Sequence, residues 1–420
     1  MKMKKLVSIC LLGIAIAGLT ACGKKEEESK TKENEISVAA WAYDANPEFK
    51  AMIEAFEKAE NAKVKVVDIA ADQYEDKITT MLSAGDTTDV LAIKNVSSYV
   101  NYASKGQLLD LSESGKKIDT DENYKDTLEG YKLENKYYGL PFRKDIYVLF
   151  YNKKLFDEQK LEYPKNLTWD DYEKLAAQLT TKKDGQNVYG TYHHIWYAIM
   201  MFTAANQTGN TLTNGDYSFT EDYFNRWLEM QDKGYALDYS SIKTTNITYA
   251  SQFETEKTAM MPMGSFYLGK LLKAAKEGKT EVEWGITTMP QKDPAEVKTH
   301  GGSSGFSVNK ASKNKKLAKK FVEFCSGEEG AKAVASIGMT PAYQSEEVMK
   351  VLFDLEGMPQ DEECKKALQP EFKVWEMLPN KNVAEIDEII QEEYDLIMVG
   401  DSSVKEGLKE MGSRVKEIAK

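Results

Sequence analysis

Between residues 36 and 106, short strand patterns alternate with helix patterns. In the first helical stretch, apolar residues recur at i, i+3, i+4 and i+7. Asn46 is expected to cap this helix, and Pro47 suits its first turn. Strands that alternate with helices across short loops predict an α/β fold, a parallel sheet with helices on both faces. The expected strands are three short apolar segments: 36–41, 64–69 and 90–93.

The length and charge of the chain limit its organisation and its partners. It has 420 residues, 42% of them hydrophobic, which is more than one ordinary core accommodates. The apolar segment 146–151 predicts a strand that crosses between domains, and helical patterns dominate after it. The formal net charge of −12 argues against the basic surface that nucleic-acid binding requires. We therefore expect two domains, the second richer in helix, and no nucleic-acid partner.

The N-terminus predicts an exported, lipid-anchored protein. A basic start precedes an apolar run at 6–19, which is too short to span a membrane but typical of a secretory signal. The run ends at Cys22, in a Leu-Thr-Ala-Cys-Gly stretch that resembles the lipobox of bacterial lipoproteins. An ordinary signal peptide with a chance cysteine is the alternative. We expect a signal peptide at 1–21, lipidation of Cys22 and a disordered charged tether at 22–35. The protein is then expected to be lipid-anchored on the extracytoplasmic face of the cell membrane, which fits a Gram-positive cell.

Several patterns that look catalytic are better explained without catalysis. Ser303 stands in a Gly-x-Ser-x-Gly sequence, but the nucleophile elbow needs a later histidine, and all the histidines precede it. His193 and His194 are adjacent, which does not suit a shared metal, so a polar loop is expected there. We predict no metal, no cofactor and no disulfide between Cys325 and Cys364. A glycoside hydrolase stays open, because it needs only two carboxylates.

Four segments of the chain resemble the extracellular solute-binding proteins of ABC importers, the group that includes maltose-binding protein. They are 74–91, 138–156, 253–266 and 307–330. The crossover strand in the second segment is the most specific match. Three positions depart from the pattern: Thr88 replaces a proline, Glu256 a glycine and Phe266 a tryptophan.

The resemblance implies a periplasmic-binding-protein-like fold, in which two α/β lobes joined by a hinge close on ligand in the cleft between them. It assigns 36–144 and 306–342 to the first lobe, and 145–305 and 343–420 to the second. It also implies a monomeric, non-enzymatic protein whose partners are a solute and the permease subunits of an ABC transporter.

Candidate ligand-binding residues come from two sources. In open α/β sheets, ligands meet the loops at the carboxyl ends of strands. That rule selects Trp41, Tyr43, Asp44, Asp72, Asn95, Arg143 and Asp145. The resemblance places a sugar-binding carboxylate at Asp145 and further ligand contacts at Trp196, Tyr197, Asn206 and Phe266. Ser303, in the glycine-rich crossover loop, and Trp375, a late aromatic platform, complete the set.

The chemistry of these residues favours a carbohydrate. Aromatic rings can cover the apolar face of a pyranose, and Asp, Asn and Arg can hydrogen-bond its hydroxyls. We therefore predict an ABC-importer lipoprotein that binds an oligosaccharide. Other solutes stay open (a polyamine, a phosphate ester, a peptide), as does a surface adhesin or sensor. A cationic ligand would need carboxylates without counter-charges, and Lys94 and Arg143 argue against that; Asp145, in turn, could simply pair with Arg143.

Overall fold

The computed structural model describes residues 34–183, 185–370, 373–375 and 377–418. The predicted signal peptide, the predicted lipidation site Cys22 and nearly all of the predicted tether lie outside the described residues. Within the described ranges, no helix combines the length and the apolar character needed to cross a membrane.

The described chain contains both strands and helices, and the helices are more frequent after Asn152. The strands are β1 (Glu35–Trp41), β2 (Lys63–Ile69), β3 (Val90–Ile93), β4 (Lys132–Leu133), β5 (Lys136–Tyr137), β6 (Leu140–Lys144), β7 (Tyr147–Asn152), β8 (Thr181–Lys183), β9 (Gln186–Thr191), β10 (Thr258–Gly264), β11 (Trp284–Thr288), β12 (Thr299–Gly301), β13 (Ser303–Val308) and β14 (Lys373–Trp375). The helices are α1 (Pro47–Glu60), α2 (Tyr74–Ser83), α3 (Val96–Ser104), α4 (Ser112–Asp119), α5 (Lys153–Glu158), α6 (Trp169–Leu179), α7 (Tyr197–Thr208), α8 (Glu221–Asp232), α9 (Tyr239–Thr245), α10 (Tyr249–Glu254), α11 (Tyr267–Lys276), α12 (Lys315–Ser326), α13 (Glu328–Ala335), α14 (Glu346–Phe353), α15 (Glu362–Leu368), α16 (Val383–Val399) and α17 (Val404–Ile418).

The first lobe is built on a five-stranded sheet with the strand order β2-β1-β3-β13-β6. β1 pairs in parallel with β2 and with β3, which confirms the predicted strand–helix–strand alternation. β13 returns from far along the chain and pairs antiparallel with β3 and β6. The expectation of an all-parallel sheet is therefore wrong, because this returning strand completes the sheet. Helices α1, α12 and α13 pack against one another in this lobe.

The second lobe contains a five-stranded sheet with the order β11-β7-β10-β9-β8. The crossover strand β7 pairs antiparallel with β10 and β11, whereas β10 and β9 run parallel. Helices α5, α6, α10 and α15 pack against its strands, and α7, α8, α16 and α17 pack against one another.

The chain crosses between the two sheets at several points. It first crosses between Lys144, the last residue of β6, and Tyr147, the first residue of β7. It returns to the first sheet just before Ser303, where β13 begins, rather than after 305 as the sequence suggested. The last crossing also differs from the expected 342/343 boundary, since α14 still packs against α13 of the first lobe and α15 packs against β11.

Two helix starts differ in how they are capped, and the first tests the capping predicted for Asn46. Asn46 occupies the N-cap position of α1, but its side chain caps nothing and instead donates to the carbonyl oxygens of Trp41 and Ala42, at 3.0 and 3.1 Å. The expected side-chain cap is therefore wrong. At α6, the Thr168 hydroxyl accepts from the backbone N–H of Asp171 at 3.1 Å and donates to its carboxylate at 2.7 Å. This pair of bonds is a variant of the capping box.

The adjacent histidines are not in a polar loop, so that expectation is wrong. His193 is 3% exposed and stacks on Trp227 with 4.1 Å between the ring centroids, and His194 is 8% exposed. The expectation for the cysteines is confirmed: Cys325 and Cys364 are buried free thiols that form no disulfide with each other.

Candidate functional site

A cavity of about 1030 Å³ lies between the two lobes. The ends of β1 and β3 line it from the first lobe, the starts of α7 and α11 from the second, and the crossing segments between them. Helix α16 lines one side and packs against both α3 of the first lobe and α7 of the second. Small-molecule sites usually measure roughly 300–1,000 Å³, so this cavity suits a ligand larger than most metabolites.

Most of the residues predicted from the sequence meet at this cavity. Its wall includes Trp41, Asn95, Arg143, Asp145, Trp196, Tyr197, Phe266 and Ser303. The strand-end rule selected Trp41 and Asn95, because the first lobe lines the cavity with the ends of its strands. The resemblance selected Trp196 and Tyr197, which lie at the start of a helix in the second lobe.

The other predicted residues do not line the cavity. Asp44 and Asp72 are exposed on turns after their strands, and Tyr43, next to Asp44, is likewise absent from the wall. Asn206 is buried near the C-terminal end of α7, whereas Trp196 precedes the N-terminal end of that helix. Trp375 belongs to β14 through its backbone, which pairs opposite Gly301, and its side chain lies outside the described residues.

Aromatic side chains form much of the second lobe's wall. The ring centroid of Trp196 lies 5.9 Å from that of Tyr249 and 6.1 Å from that of Phe266. Tyr147 extends the group, 6.5 Å from Phe266. Trp41, on the first lobe, is only 5% exposed and packs its ring edge-to-face in the core, so it offers a small area to the cavity. Trp196 and Phe266 are half-buried and offer more.

A buried group of charges lies beside the first crossing. The Arg143 guanidinium donates to Glu48 at 2.8 Å, to Asp145 at 3.2 Å and to the Ser304 hydroxyl at 3.0 Å. The possibility that Asp145 pairs with Arg143 is thus realised, and Asp145 still lines the cavity. Burial raises the pKa of Glu48, although Arg143 lowers it in part. Burial also acts to lower the pKa of Arg143, but Asp145 and Glu48 outweigh it and raise that pKa, so the guanidinium stays charged.

The crossing segments bind one another through their backbones. The Asp145 N–H donates to the Gly302 carbonyl at 2.9 Å. Ser265 joins them, since its N–H donates to the Ile146 carbonyl at 2.8 Å and its hydroxyl accepts from the Ile146 N–H at 3.1 Å. A Cβ atom on Gly301 would lie 1.9 Å from the Asp145 carbonyl oxygen, so only glycine allows this approach.

We expect Gly301→Ala to lower the free energy of unfolding by about 2 kcal/mol, because the added methyl group overlaps a backbone that must then move. Chemical denaturation of the two proteins measures this. Gly327→Ala is the matched control, because its added Cβ would meet nothing nearer than 3.2 Å. Equal losses in the two variants would contradict the tight approach at the crossing.

Helix α16 supplies a polar wall that the sequence analysis missed. Asp387, Gln391 and Asp395 recur every four residues and face the cavity. The Tyr197 hydroxyl donates to Asp387, and the Tyr239 hydroxyl donates to Asp395. The four-residue spacing was a visible signal of a polar helix face, but it is equally typical of a face exposed to solvent.

Other side chains of the wall were also missed. They include Tyr147, Tyr249, Lys270, Met339 and Met377. Tyr147 begins the apolar crossover strand and therefore looked like a core residue. Lys270 lies on α11, four residues beyond the Phe266 position that the resemblance selected.

Comparison with known proteins supports the fold and places the chain in a family. Residues 43–332 match the bacterial extracellular solute-binding protein family. The chain is 24% identical over 343 residues to the multiple sugar-binding protein of Streptococcus mutans, covering 76% of this chain and 78% of that protein. It is 27% identical over 383 residues to the galactooligosaccharide-binding protein of Bacillus subtilis, covering 84% and 86%.

A solved structure gives the same result for the fold. The chain superimposes with a TM-score of 0.79 on a sugar transporter from Rhizobium etli in an open conformation, at 33% identity, covering 91% of this chain and 99% of that one. The expected two-domain α/β fold is confirmed, since this match spans both lobes. The resemblance found from the four segments is confirmed as well: the chain belongs to the bacterial extracellular solute-binding protein family.

Proposed function

We propose that this protein is the substrate-binding component of an ABC importer and that it binds an oligosaccharide in the interlobe cavity. The main support for the proposal is the cavity of about 1030 Å³, whose wall combines aromatic rings with carboxylates and amides. The names of the Streptococcus mutans and Bacillus subtilis relatives, which describe sugar-binding proteins, support a carbohydrate.

The chemistry of the wall suits a chain of sugar rings. Trp196, Tyr249 and Phe266 offer aromatic area for the apolar faces of pyranose rings. Asn95 offers its side-chain amide, whose oxygen already accepts from the Ser98 N–H, and Asp145 offers its carboxylate. Charged acceptors strengthen hydrogen bonds from sugar hydroxyls. The predicted residues that line the cavity are therefore our proposed ligand contacts. Closure of the lobes about the crossing segments would bury the sugar.

The proposed role is transport rather than catalysis. The Ser303 hydroxyl is buried and has no hydrogen-bond partner in the described part of the chain, so no histidine there activates it as a nucleophile. His300, the nearest histidine in sequence, stacks on Tyr147 with 4.4 Å between the ring centroids.

The location and partners of the protein complete the proposal. Export by the signal peptide and lipidation of Cys22 would hold a monomer on the outer face of the membrane, through the charged tether. There it would deliver sugar to the permease subunits of its importer. Treatment of cells with radiolabelled palmitate tests the anchor, since label should be absent from a Cys22→Ala variant.

Thermal unfolding against a panel of neutral and substituted sugars, polyamines, phosphate esters and peptides tests the ligand class. A sugar at a hundred times its dissociation constant should stabilise the protein by about 2.7 kcal/mol, which raises Tm by several degrees. Trp196→Ala should raise the dissociation constant of that sugar about 30-fold, because a stacking aromatic residue in a binding site contributes about 2 kcal/mol.

Tyr43→Ala is the matched control, since Tyr43 is an aromatic residue near the first lobe's strand ends that does not line the cavity. It should leave the affinity within a few-fold of the parent. Stabilisation by a phosphate ester or a peptide, with no response to any sugar, would overturn the carbohydrate proposal while leaving the fold unaffected.

A further inference from the structure

The charged side chains of the cavity wall are unevenly balanced. Among the described residues that line it, five are acidic and three are basic. The acidic ones are Asp145, Asp387, Glu388, Glu392 and Asp395, and the basic ones are Lys94, Arg143 and Lys270. All the acidic residues except Asp145 lie on the single helix α16.

The basic side chains lie away from α16 and are compensated by other groups. Arg143 is bound by Glu48 and Asp145, as described above. The Lys94 ammonium lies 3.4 Å from the Glu75 carboxylate and donates to the Ala71 carbonyl at 2.9 Å. The two cations that argued against a positively charged ligand at the level of sequence are therefore already paired within the protein.

Lys270 also belongs to the buried charges near the crossing. Burial lowers its pKa, and the charged groups that act on it are Glu48 and Arg143, neither of which lies on α16. Its charge is therefore opposed by burial and by Arg143, and is supported by Glu48.

Two of the α16 carboxylates that line the cavity have no basic partner among the described residues. Asp395 pairs with Lys243, and Glu392 pairs with Arg414. Asp387 accepts a hydrogen bond from Tyr197, and in the described part of the chain neither Asp387 nor Glu388 forms an ion pair. Burial raises the pKa of Asp387, which the Tyr197 hydrogen bond offsets only in part, and no basic group contributes. The wall thus concentrates uncompensated negative charge at one place.

Aromatic rings lie next to this place. The Tyr197 hydroxyl donates to Asp387, and Tyr197 directly follows Trp196 in the chain. The ring of Trp196 lies next to those of Tyr249 and Phe266. An aromatic face beside a carboxylate is the arrangement that binds ammonium groups, through cation–π attraction and charge-assisted hydrogen bonds.

A second kind of observation also indicates a ligand. The Ser303 hydroxyl, on the crossing side of the same wall, belongs to a residue that is 6% exposed, and it has no hydrogen-bond partner among the described residues. Buried polar atoms normally have partners, so a ligand bound at the crossing side of the cavity would supply the one that this hydroxyl lacks.

We propose that the bound carbohydrate is an amino sugar, or an oligosaccharide that contains one, whose protonated amino group binds Asp387 and Glu388 beside the aromatic wall. This rests on the proposed function, since it specifies the sugar that the same cavity takes. The sugar rings pack against the aromatic residues, and a sugar hydroxyl hydrogen-bonds Ser303. The ammonium group supplies the positive charge that Asp387 and Glu388 lack.

The experiment compares sugars that differ only in that group. Dissociation constants are measured by calorimetry for glucose, galactose and mannose, for their 2-amino and N-acetyl-2-amino derivatives, and for β-1,4-linked dimers and trimers of glucose and of glucosamine. We expect an amino sugar to bind at least tenfold more tightly than its neutral counterpart and its N-acetyl form. This preference should shrink at high salt, because screening weakens charge pairs that solvent can reach.

Two variants assign the preference to α16. The double variant Asp387→Asn, Glu388→Gln should bind the amino sugar and its neutral counterpart with nearly equal affinity. The control is Glu385→Gln, which removes an exposed carboxylate of the same helix that does not line the cavity. It should keep the preference for the amino sugar. If the double variant is unstable, Glu388→Gln alone serves, because Glu388 is exposed, and it should lower the ratio of the two affinities at least threefold.

The outcomes separate the two proposals. Neutral sugars that bind as tightly as amino sugars, or a preference that the α16 variants do not change, would overturn the amino-sugar inference and leave the carbohydrate function standing. A complete absence of sugar binding, here and in the thermal panel, would overturn both.

Discussion

At pH 5 the folded protein should be less stable than at pH 7 by about 4 kcal/mol, because its histidines are buried in their neutral form. His193, His194 and His300 are 3%, 8% and 1% exposed. Burial lowers their pKa values to about 3, about 4 and about 3, respectively. An unfolded histidine has a pKa of about 6.5, so it takes up a proton in this range while the folded one does not. Stability is therefore lost as the pH falls from about 6.5 towards 4.

The size of the effect follows from proton linkage. Each histidine that is protonated only in the unfolded chain costs about 2 kcal/mol at pH 5. Carboxyl groups with raised pKa values act in the opposite direction, since they hold protons more tightly in the folded state as the pH falls. Glu48, Glu254 and Asp387 are such groups, and we expect them to offset part of the loss.

Urea denaturation at pH 7, 6 and 5 in the absence of ligand measures the loss. His193→Gln supplies the control, because it removes one titrating group from the stack on Trp227. The variant should lose less stability than the parent over the same range, by about 1.4 kcal/mol for each pH unit below 6. Parallel pH curves for the two proteins would contradict the buried neutral state of His193.

The local periodicity of the sequence predicted the first part of the fold well. The strand expected at 90–93 is β3, and the one expected at 36–41 is β1 to within one residue. Such segments can be recognised because hydrophobic periodicity is a local property. The antiparallel strand β13 could not be placed in the same way, since nothing near Ser303 indicates that it pairs between β3 and β6.

The same limit explains which site residues could be predicted. Strand ends are fixed by local patterns, so Trp41 and Asn95 could be selected from the sequence, and both line the cavity. Asp44 and Asp72 also follow strands, but which of the turn residues face inwards depends on the other lobe, and both are exposed. The burial of His193 is likewise decided by Tyr172 and Trp227, which come from helices distant in sequence.

The buried charges at the crossing depend strongly on one another. Glu48 is fully buried in the first turn of α1, and one of its carboxylate oxygens has no hydrogen-bond partner among the described residues. Arg143 is its basic partner, at 2.8 Å, and is itself only 10% exposed. A buried pair of this kind adds little stability by comparison with an apolar pair, but removal of one partner leaves the other charge buried alone.

Arg143→Met should therefore lower the free energy of unfolding by about 3–5 kcal/mol at pH 7, through the unpaired Glu48. Chemical denaturation measures this, and Lys50→Met is the control, because Lys50 and Glu54 form an exposed pair at 3.8 Å that contributes less than about 1 kcal/mol.

Without Arg143 the pKa of Glu48 should rise further, so the folded state retains its proton at higher pH. The loss should then become smaller as the pH is lowered towards the usual pKa of a glutamate, since the unfolded chain is also protonated there. A combined Glu48→Gln and Arg143→Met variant, which has no buried charge at position 48, should recover much of the stability; a double variant as unstable as Arg143→Met would show that packing around the guanidinium, and not the stranded carboxylate, causes the loss.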